Sequence, residues 1–245
     1  MIDIVVPVFN EGANIEALFE RIDEDIKTSK NVLVVYDFDE DDTLPVVEKV
    51  MDRFPFSIKL AKNTLGRGVL NAIKTGFSAS NADAVLVVMA DLSDSLGIVD
   101  DMYGFIRTGH DLICGSRYMK GGKQVGGPLL KRTFSRIAGV SLHYLTGIPT
   151  HDVTNSFKMY SCELLHSTEI ESNGGFELGM ELTVKAFIQG RKIAELPSVW
   201  TDRVAGTSNF KMWTWLPKYI HWYWYAISHT WFSKCHPQNM GKRND

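Results

Sequence analysis

An unbroken apolar run, Val85 to Ala90, gives way abruptly to the acidic turn Asp91-Leu92-Ser93-Asp94. Apolar residues without polar alternation fit a strand covered on both faces, as in a parallel sheet. A carboxylate at the carboxyl end of such a strand lies where open α/β sheets bind ligands, and it can hold a divalent cation against a diphosphate. An Asp at a strand end also serves simply to begin a turn and cap the next helix. The rest of the chain must decide between the two.

Two further strand-like runs end in acids, Ile2 to Val8 before Phe9-Asn10-Glu11, and Val32 to Val35 before Tyr36-Asp37-Phe38-Asp39-Glu40-Asp41-Asp42-Thr43. From residue 1 to about 116 the pattern alternates, with strands expected near 2–9, 31–36, 57–61, 84–89 and 111–115 and helices near 14–27, 44–54, 68–80 and 97–108. That alternation predicts a predominantly parallel, Rossmann-like α/β sheet flanked by helices. Gly66-x-Gly68 lacks both the Walker spacing and the full dinucleotide fingerprint, so it reads as turn geometry. Asp37-x-Asp39-x-Asp41 with Glu48 has the spacing of a calcium loop but carries Asp42 where that loop needs Gly; Asp39 to Asp42 read more simply as a solvated turn. Gly121 to Pro128 reads as a flexible connection, the candidate mobile loop, before a basic helix near 131–146. A last strand is expected at 193–199, then a polar loop from 200 to 211.

Composition narrows the function classes. The 245 residues carry a net charge of −3, so no global basic field recruits nucleic acid. Cys114, Cys162 and Cys235 form no Cys-x-x-Cys pair and suggest a reducing compartment. The amino terminus enters strand residues at once, without the pattern of a signal peptide, so the cytoplasm is the expected location. Residues 213–245 form an aromatic-rich helical tail holding five of the six tryptophans. Its apolar run is too short and too interrupted to span a bilayer. An interfacial helix making peripheral membrane contact, a helix folded back over the domain and an aromatic dimer contact all remain open for it. The oligomeric state is left open with them.

Val6-Pro7-Val8-Phe9-Asn10-Glu11, Val34-Val35-Tyr36-Asp37 through Thr43, and Val88-Met89-Ala90-Asp91-Leu92-Ser93-Asp94, together with Gly115-Ser116-Arg117-Tyr118 with Gly121-Gly122, Asp152-Val153-Thr154-Asn155-Ser156-Phe157-Lys158, Gly175-Phe176-Glu177-Leu178 and Asp202-Arg203-Val204-Ala205-Gly206-Thr207-Ser208, closely resemble the inverting GT-A-type glycosyltransferase family that includes dolichol-phosphate mannose synthase. The resemblance covers residues from about 2 to 212 in family order and implies one GT-A-like catalytic domain, 1–212, followed by the tail. It implies that Pro7, Phe9, Asn10, Glu11, Asp37, Ala90 and Asp91 shape the pocket of a nucleotide-sugar donor. It further implies that Arg117, Lys131, Arg132, Ser135 and Arg203 meet the donor diphosphate and the phosphate of a polyprenyl or dolichyl acceptor. Asp91, Arg117 and Arg203 are the expected catalytic residues.

Two departures stand out. Tyr36-Asp37 replaces the family's Asp-Asp, and Met89-Ala90-Asp91 replaces its metal-binding Asp-x-Asp. Mg²⁺ or Mn²⁺ neutralises a leaving diphosphate, and a thioether does not suit such a hard cation. Asp91 is therefore the expected main ligand, aided by Ser93 or Asp94. The implied reaction is inverting transfer of a sugar to a polyprenyl phosphate, whose anionic oxygen needs no general base. The alternatives are transfer to a glycan hydroxyl, with Asp152 as the candidate base, and a catalytically impaired nucleotide-sugar-binding protein.

Overall fold

The structure is a computed structural model that describes residues 1–202 and 212–234, the side chains at 212–214 and 233–234 excepted. Its elements in chain order are β1 (Ile2–Pro7), α1 (Ile15–Asp25), β2 (Lys30–Tyr36), α2 (Thr43–Val50), β3 (Ser57–Lys62), α3 (Val69–Ala79), β4 (Ala84–Val87), α4 (Val99–Arg107), β5 (Leu112–Ser116), β6 (Lys123–Val125), α5 (Leu129–Thr146), β7 (Lys158–Ser161), α6 (Cys162–Ser167), α7 (Leu178–Ile188), β8 (Ile193–Pro197), β9 (Val199–Thr201) and α8 (Met212–Lys234). Seven strands form one sheet in the order β3-β2-β1-β4-β7-β5-β8. All its pairings are parallel except those of β7, which runs antiparallel between β4 and β5.

The apolar runs become the sheet's centre because alternate residues of one strand feed opposite faces. Ile4 and Val6 join Leu18 and Phe19 of α1, Val47 of α2 and Met102 of α4 on one face. Val5, between them in sequence, joins Ile73 and Phe77 of α3 and Leu182 of α7 on the other. A third apolar cluster lies outside the sheet: Leu142 of α5, Met180 and Val184 of α7, and Trp222, Ala226 and Ile227 of α8. The aromatic tail thus folds back against α5 and α7. Among the described residues, no helix is long and apolar enough to cross a membrane.

The α/β class and the five expected strands are all present, but three features depart from the sequence reading. β7 was not anticipated, because it is short and includes Lys158, a fully buried amine whose Nζ bonds the backbone oxygens of Val153 and Asn155. The strand expected at 193–199 breaks at Ser198, beyond which β9 leaves the main sheet and pairs in parallel with β6. That small ladder places a strand inside the glycine-rich connection 121–128.

Helix α3 lies so close over β1 that a Cβ on Gly76 would fall 2.3 Å from Cγ1 of Val5. Helix propensity alone favours Gly76→Ala by about 1 kcal/mol, whereas forcing a methyl into a filled core costs about 1–3 kcal/mol. Packing wins at 2.3 Å. Gly76→Ala therefore lowers stability in urea titration, and adding Val5→Ala makes the combined loss smaller than the sum of the single losses.

Candidate active site

The ends of β1 and β2 are clasped together by side chain to backbone bonds. Asp41 is only 1% exposed. It accepts the amides of Asn10 at 3.1 Å and Thr43 at 2.9 Å, and the Thr43 hydroxyl as well. Thr43 Oγ1 takes the amide of Glu11 at 2.9 Å, and Asp42 takes that of Gly12, also at 2.9 Å. Gly12 is required there, since a Cβ would sit 2.7 Å from the Asp42 carbonyl oxygen. The reading of Asp39 to Asp42 as a solvated turn is corrected at Asp41: its neighbours face water, while its own carboxylate is consumed by the backbone it orders. Asp37 leaves the end of β2 and accepts Nδ2 of Asn63 at 2.7 Å and the amide of Gly68 at 2.8 Å, which ties it to the loop before α3. Pro7 is buried, Asn10 and Phe9 are exposed, and Phe9 meets Phe38 edge-on at 5.5 Å. The carboxylate of Glu11 accepts Nδ2 of Asn14.

The turn after β4 is the next wall. Ala90 is buried, and Oδ1 of Asp91 accepts the amide and the hydroxyl of Ser93. Leu92 between them has φ of +60°, a left-handed conformation that a branched side chain adopts only where its surroundings impose it. Arg21 of α1 does the imposing: Nη1 donates to the Leu92 carbonyl at 2.8 Å and Nη2 to the Asp94 carbonyl at 2.7 Å. Asp94 pairs by a strand bridge with Trp200. Its side chain is 5% exposed, and Oδ1 has no hydrogen-bond partner among the described residues. Burial first, and the charge of Asp91 second, push its carboxyl up to about 7.

The third wall is built on an ion pair. Arg117, at the end of β5, donates Nε to Oδ2 of Asp152 at 2.7 Å and Nη2 to Oδ1 at 2.9 Å, and its amide also reaches Oδ2. Nη2 additionally reaches Ser135 of α5 at 3.1 Å and Thr154 at 3.2 Å. Tyr118 bonds Ser135 and Gln124. Burial alone would raise the carboxyl of Asp152, yet the charge and hydrogen bonds of Arg117 outweigh it and hold it below its ordinary value. Lys131 and Arg132 lie half-buried on the first turn of α5. His151 pairs with Glu195 at 2.6 Å. Arg203 lies outside the described residues.

The two sides meet at Asp94, whose carboxyl feels Asp91, Arg117, Asp152 and Arg21. Among the described residues, no group of three or more His, Cys, Asp or Glu is gathered as a ready metal cage. Sequence reasoning gave no role to Arg21, because it sits in an ordinary amphipathic helix and its targets are carbonyls 71 and 73 residues away. It also missed Glu177, which accepts the amides of Gly174 and Gly175, both at 2.7 Å, although the Gly-Phe-Glu motif had marked the place.

Removing one partner of a buried pair leaves the other charge uncompensated, at a cost of about 3–5 kcal/mol. Asp152→Asn is therefore expected to lower unfolding free energy by about that amount in urea titration at pH 7. Because the folded carboxyl is held below its unfolded value, the advantage of wild type is full above about pH 4 and shrinks as the pH falls through the depressed value.

Residues 3–168 match the glycosyl transferase family 2. Dolichol-phosphate mannosyltransferase of Pyrococcus furiosus is 27% identical over 215 residues, which are 86% of this chain and 59% of that protein. Polyprenol monophosphomannose synthase of Mycolicibacterium smegmatis is 26% identical over 210 residues, 84% of this chain and 79% of that one. Among solved structures, glucosyl-3-phosphoglycerate synthase from Mycobacterium tuberculosis in complex with UDP has a TM-score of 0.68 at 18% identity, covering 93% of this chain and 80% of that chain. The same enzyme solved with Mn²⁺, UDP and glucosyl-3-phosphoglycerate has a TM-score of 0.63 at 18% identity, covering 98% and 82%. At such identity the structural likeness speaks for the fold. The match over 3–168, on a GT-A-like sheet with its acids at the strand ends, shows that this chain belongs to glycosyl transferase family 2.

Proposed function

We propose that this chain transfers a sugar, with inversion, from a nucleotide-diphosphate sugar to a polyprenyl or dolichyl phosphate at the cytoplasmic face of a membrane. The observation that carries this reading is the two-sided character of α5. Its inner side places Ser135 against Arg117 at 3.1 Å. Its outer side shows Leu130, Phe134 and Ile137 to solvent, the last two 44% and 59% exposed. A phosphate-binding cluster and an apolar surface joined on one helix suit an acceptor that is itself a phosphate on an apolar chain. The printed names of the P. furiosus and M. smegmatis relatives point to the same acceptor class.

The locked state of Asp152 supports the same reading. A hydroxyl acceptor needs a base, and this candidate has both oxygens engaged by Arg117, so it is poorly placed to take a proton. A phosphate oxygen is already anionic at neutral pH, so positioning and charge neutralisation suffice. In this reading Asp37 and the clasp of Asn10, Glu11 and Asp41 form the nucleotide side. Arg117, Lys131, Arg132 and, by resemblance, Arg203 offset the repulsion between the two phosphate groups. Asp91 and Ser93 supply hard oxygen atoms for Mg²⁺ or Mn²⁺, which stabilises charge on the leaving diphosphate when bound. The buried, unpartnered oxygen of Asp94 next to them fits a site that accommodates a cation.

The outer surface supports membrane contact in this reading. While α8 buries Trp222, Ala226 and Ile227, it exposes Ile220, Trp224, Trp231 and Phe232 beside the exposed face of α5. Ser141–Tyr223 at 2.8 Å and Trp231–Leu145 at 3.1 Å join the two helices. Trp and Tyr favour the headgroup zone, and an exposed apolar helix face suits an interfacial position.

Initial rates test the acceptor. A short polyprenyl phosphate is expected to accept sugar and the matching polyprenol is not; equal rates for the two would replace this reading with the hydroxyl-acceptor one. Arg203→Ala is expected to slow transfer about ten- to a hundredfold, from a charge-assisted contact of about 1.5–3 kcal/mol. Phe134→Asp with Trp224→Asp is expected to reduce sedimentation with anionic liposomes while leaving nucleotide-sugar affinity unchanged. Undiminished sedimentation would remove the membrane contact from these helices.

A further inference from the structure

We infer that Asp94 is the second carboxylate ligand of the divalent cation, supplied from the far end of the Asp91 turn in place of the carboxylate that Met89 lacks. This rests on the reading of Asp91 and Ser93 as a cation site and names the residue that completes it.

Three observations converge. First, the position three residues after Asp91 carries a carboxylate that is 5% exposed, with an oxygen fully shielded from water and no hydrogen-bond partner among the described residues. A shielded, unpartnered carboxylate oxygen is costly unless something cationic meets it. Arg21 meets the Leu92 and Asp94 carbonyls with Nη1 and Nη2, and Arg117 donates to Asp152, Ser135 and Thr154, so neither forms a hydrogen bond to this oxygen. Secondly, Asp91 places another carboxylate in the same four-residue turn, its Oδ1 held by the amide and hydroxyl of the intervening Ser93. Two like charges set in one turn repel, and a divalent ion between them removes the repulsion. Thirdly, the backbone is set to deliver the group. Leu92 is held at φ +60°, Arg21 fixes the carbonyls on either side of Ser93, and β9 pins the turn through Thr201 N to Ser93 O at 2.9 Å and the Asp94–Trp200 bridge.

The chemistry is that of a hard cation. Two carboxylates and a hydroxyl within four residues leave the remaining positions for water and a diphosphate, the usual arrangement for Mg²⁺ and Mn²⁺. Met89 remains outside this set, since sulfur does not compete for such ions. Replacing one carboxylate of an Asp-x-Asp by another three residues beyond its second member keeps the charge count while changing the direction from which the charge arrives.

The test is direct Mn²⁺ binding, followed by electron paramagnetic resonance of free Mn²⁺, in the full chain with no nucleotide and again with UDP or GDP. Wild type is expected to bind, Asp91→Asn to lose binding, and Asp94→Asn to weaken it at least about tenfold, the low end of what even an outer-shell partner contributes. Met89→Asp added to Asp94→Asn is expected to recover most of the loss. Asp94→Asn is isosteric, and its thermal unfolding serves as the folding control. Should it fail to fold, Met89→Asp alone decides: a gain below about tenfold supports Asp94 as a ligand already in place, and any larger gain overturns it. Asp94→Asn binding Mn²⁺ like wild type, with Asp91→Asn defective, overturns this inference and leaves the Asp91 site standing. Wild type that takes up no Mn²⁺ under any condition overturns the cation reading itself.

Discussion

The buried pair of Arg117 and Asp152 organises the α5 side of the crevice. Neither residue could remain where it is without the other, because an isolated charge at this depth is strongly unfavourable. Together they satisfy Ser135 and Thr154 as well, so one guanidinium connects the end of β5, the loop into β7 and the inner side of α5. The position of α5, and with it the apolar face turned outward, is set by that fork. Lysine could supply the charge but not three bonds in a fixed plane. The side at the ends of β1 and β2 is organised differently, by neutral backbone amides converging on Asp41 and Thr43. One side is held by charge and the other by backbone geometry, and Asp94 lies between them.

Much of this architecture was legible in the sequence. Ile4 to Val6, Val32 to Val35 and Val85 to Val88 are apolar at every position, and only strands buried on both faces demand that. The acids that follow them mark the carboxyl edge without further information. What could not be read was anything carried by a residue whose type is unremarkable. Arg21 looks like the polar side of a helix, and only the folded turn shows its fork on two carbonyls. Asp41 looked like one of four solvated acids, since composition does not reveal which of Asp39 to Asp42 turns inward. Lys158 made β7 invisible, because a lysine is expected at a surface and here is buried against carbonyl oxygens.

The tail shows the same limit in another form. Its aromatics allowed membrane contact and packing as alternatives, and α8 divides between burial and exposure: Trp222 and Ala226 enter a core, while Trp224 and Phe232 do not. The weak segregation of apolar from polar positions along this helix explains why a sequence pattern could not choose.

The antiparallel strand β7 carries a consequence for the order of assembly. β1, β2, β3 and β4 are joined by connections that each close within a few tens of residues, and all four lie before residue 88. β7 must instead return to pair Met159 with Leu86, across more than seventy residues of intervening chain, and only then does β5 have a neighbour on that side. Closing so long a loop carries an entropic cost that short loops avoid, and such contacts form late. A chain emerging from the ribosome therefore completes the β1–β4 side before Asp152 has been synthesised. Until β7 docks, Arg117 has no partner and the crevice has only one wall. Lesions in the loop from 152 to 158 are thus expected to yield a half-built protein that keeps a folded amino-terminal sheet.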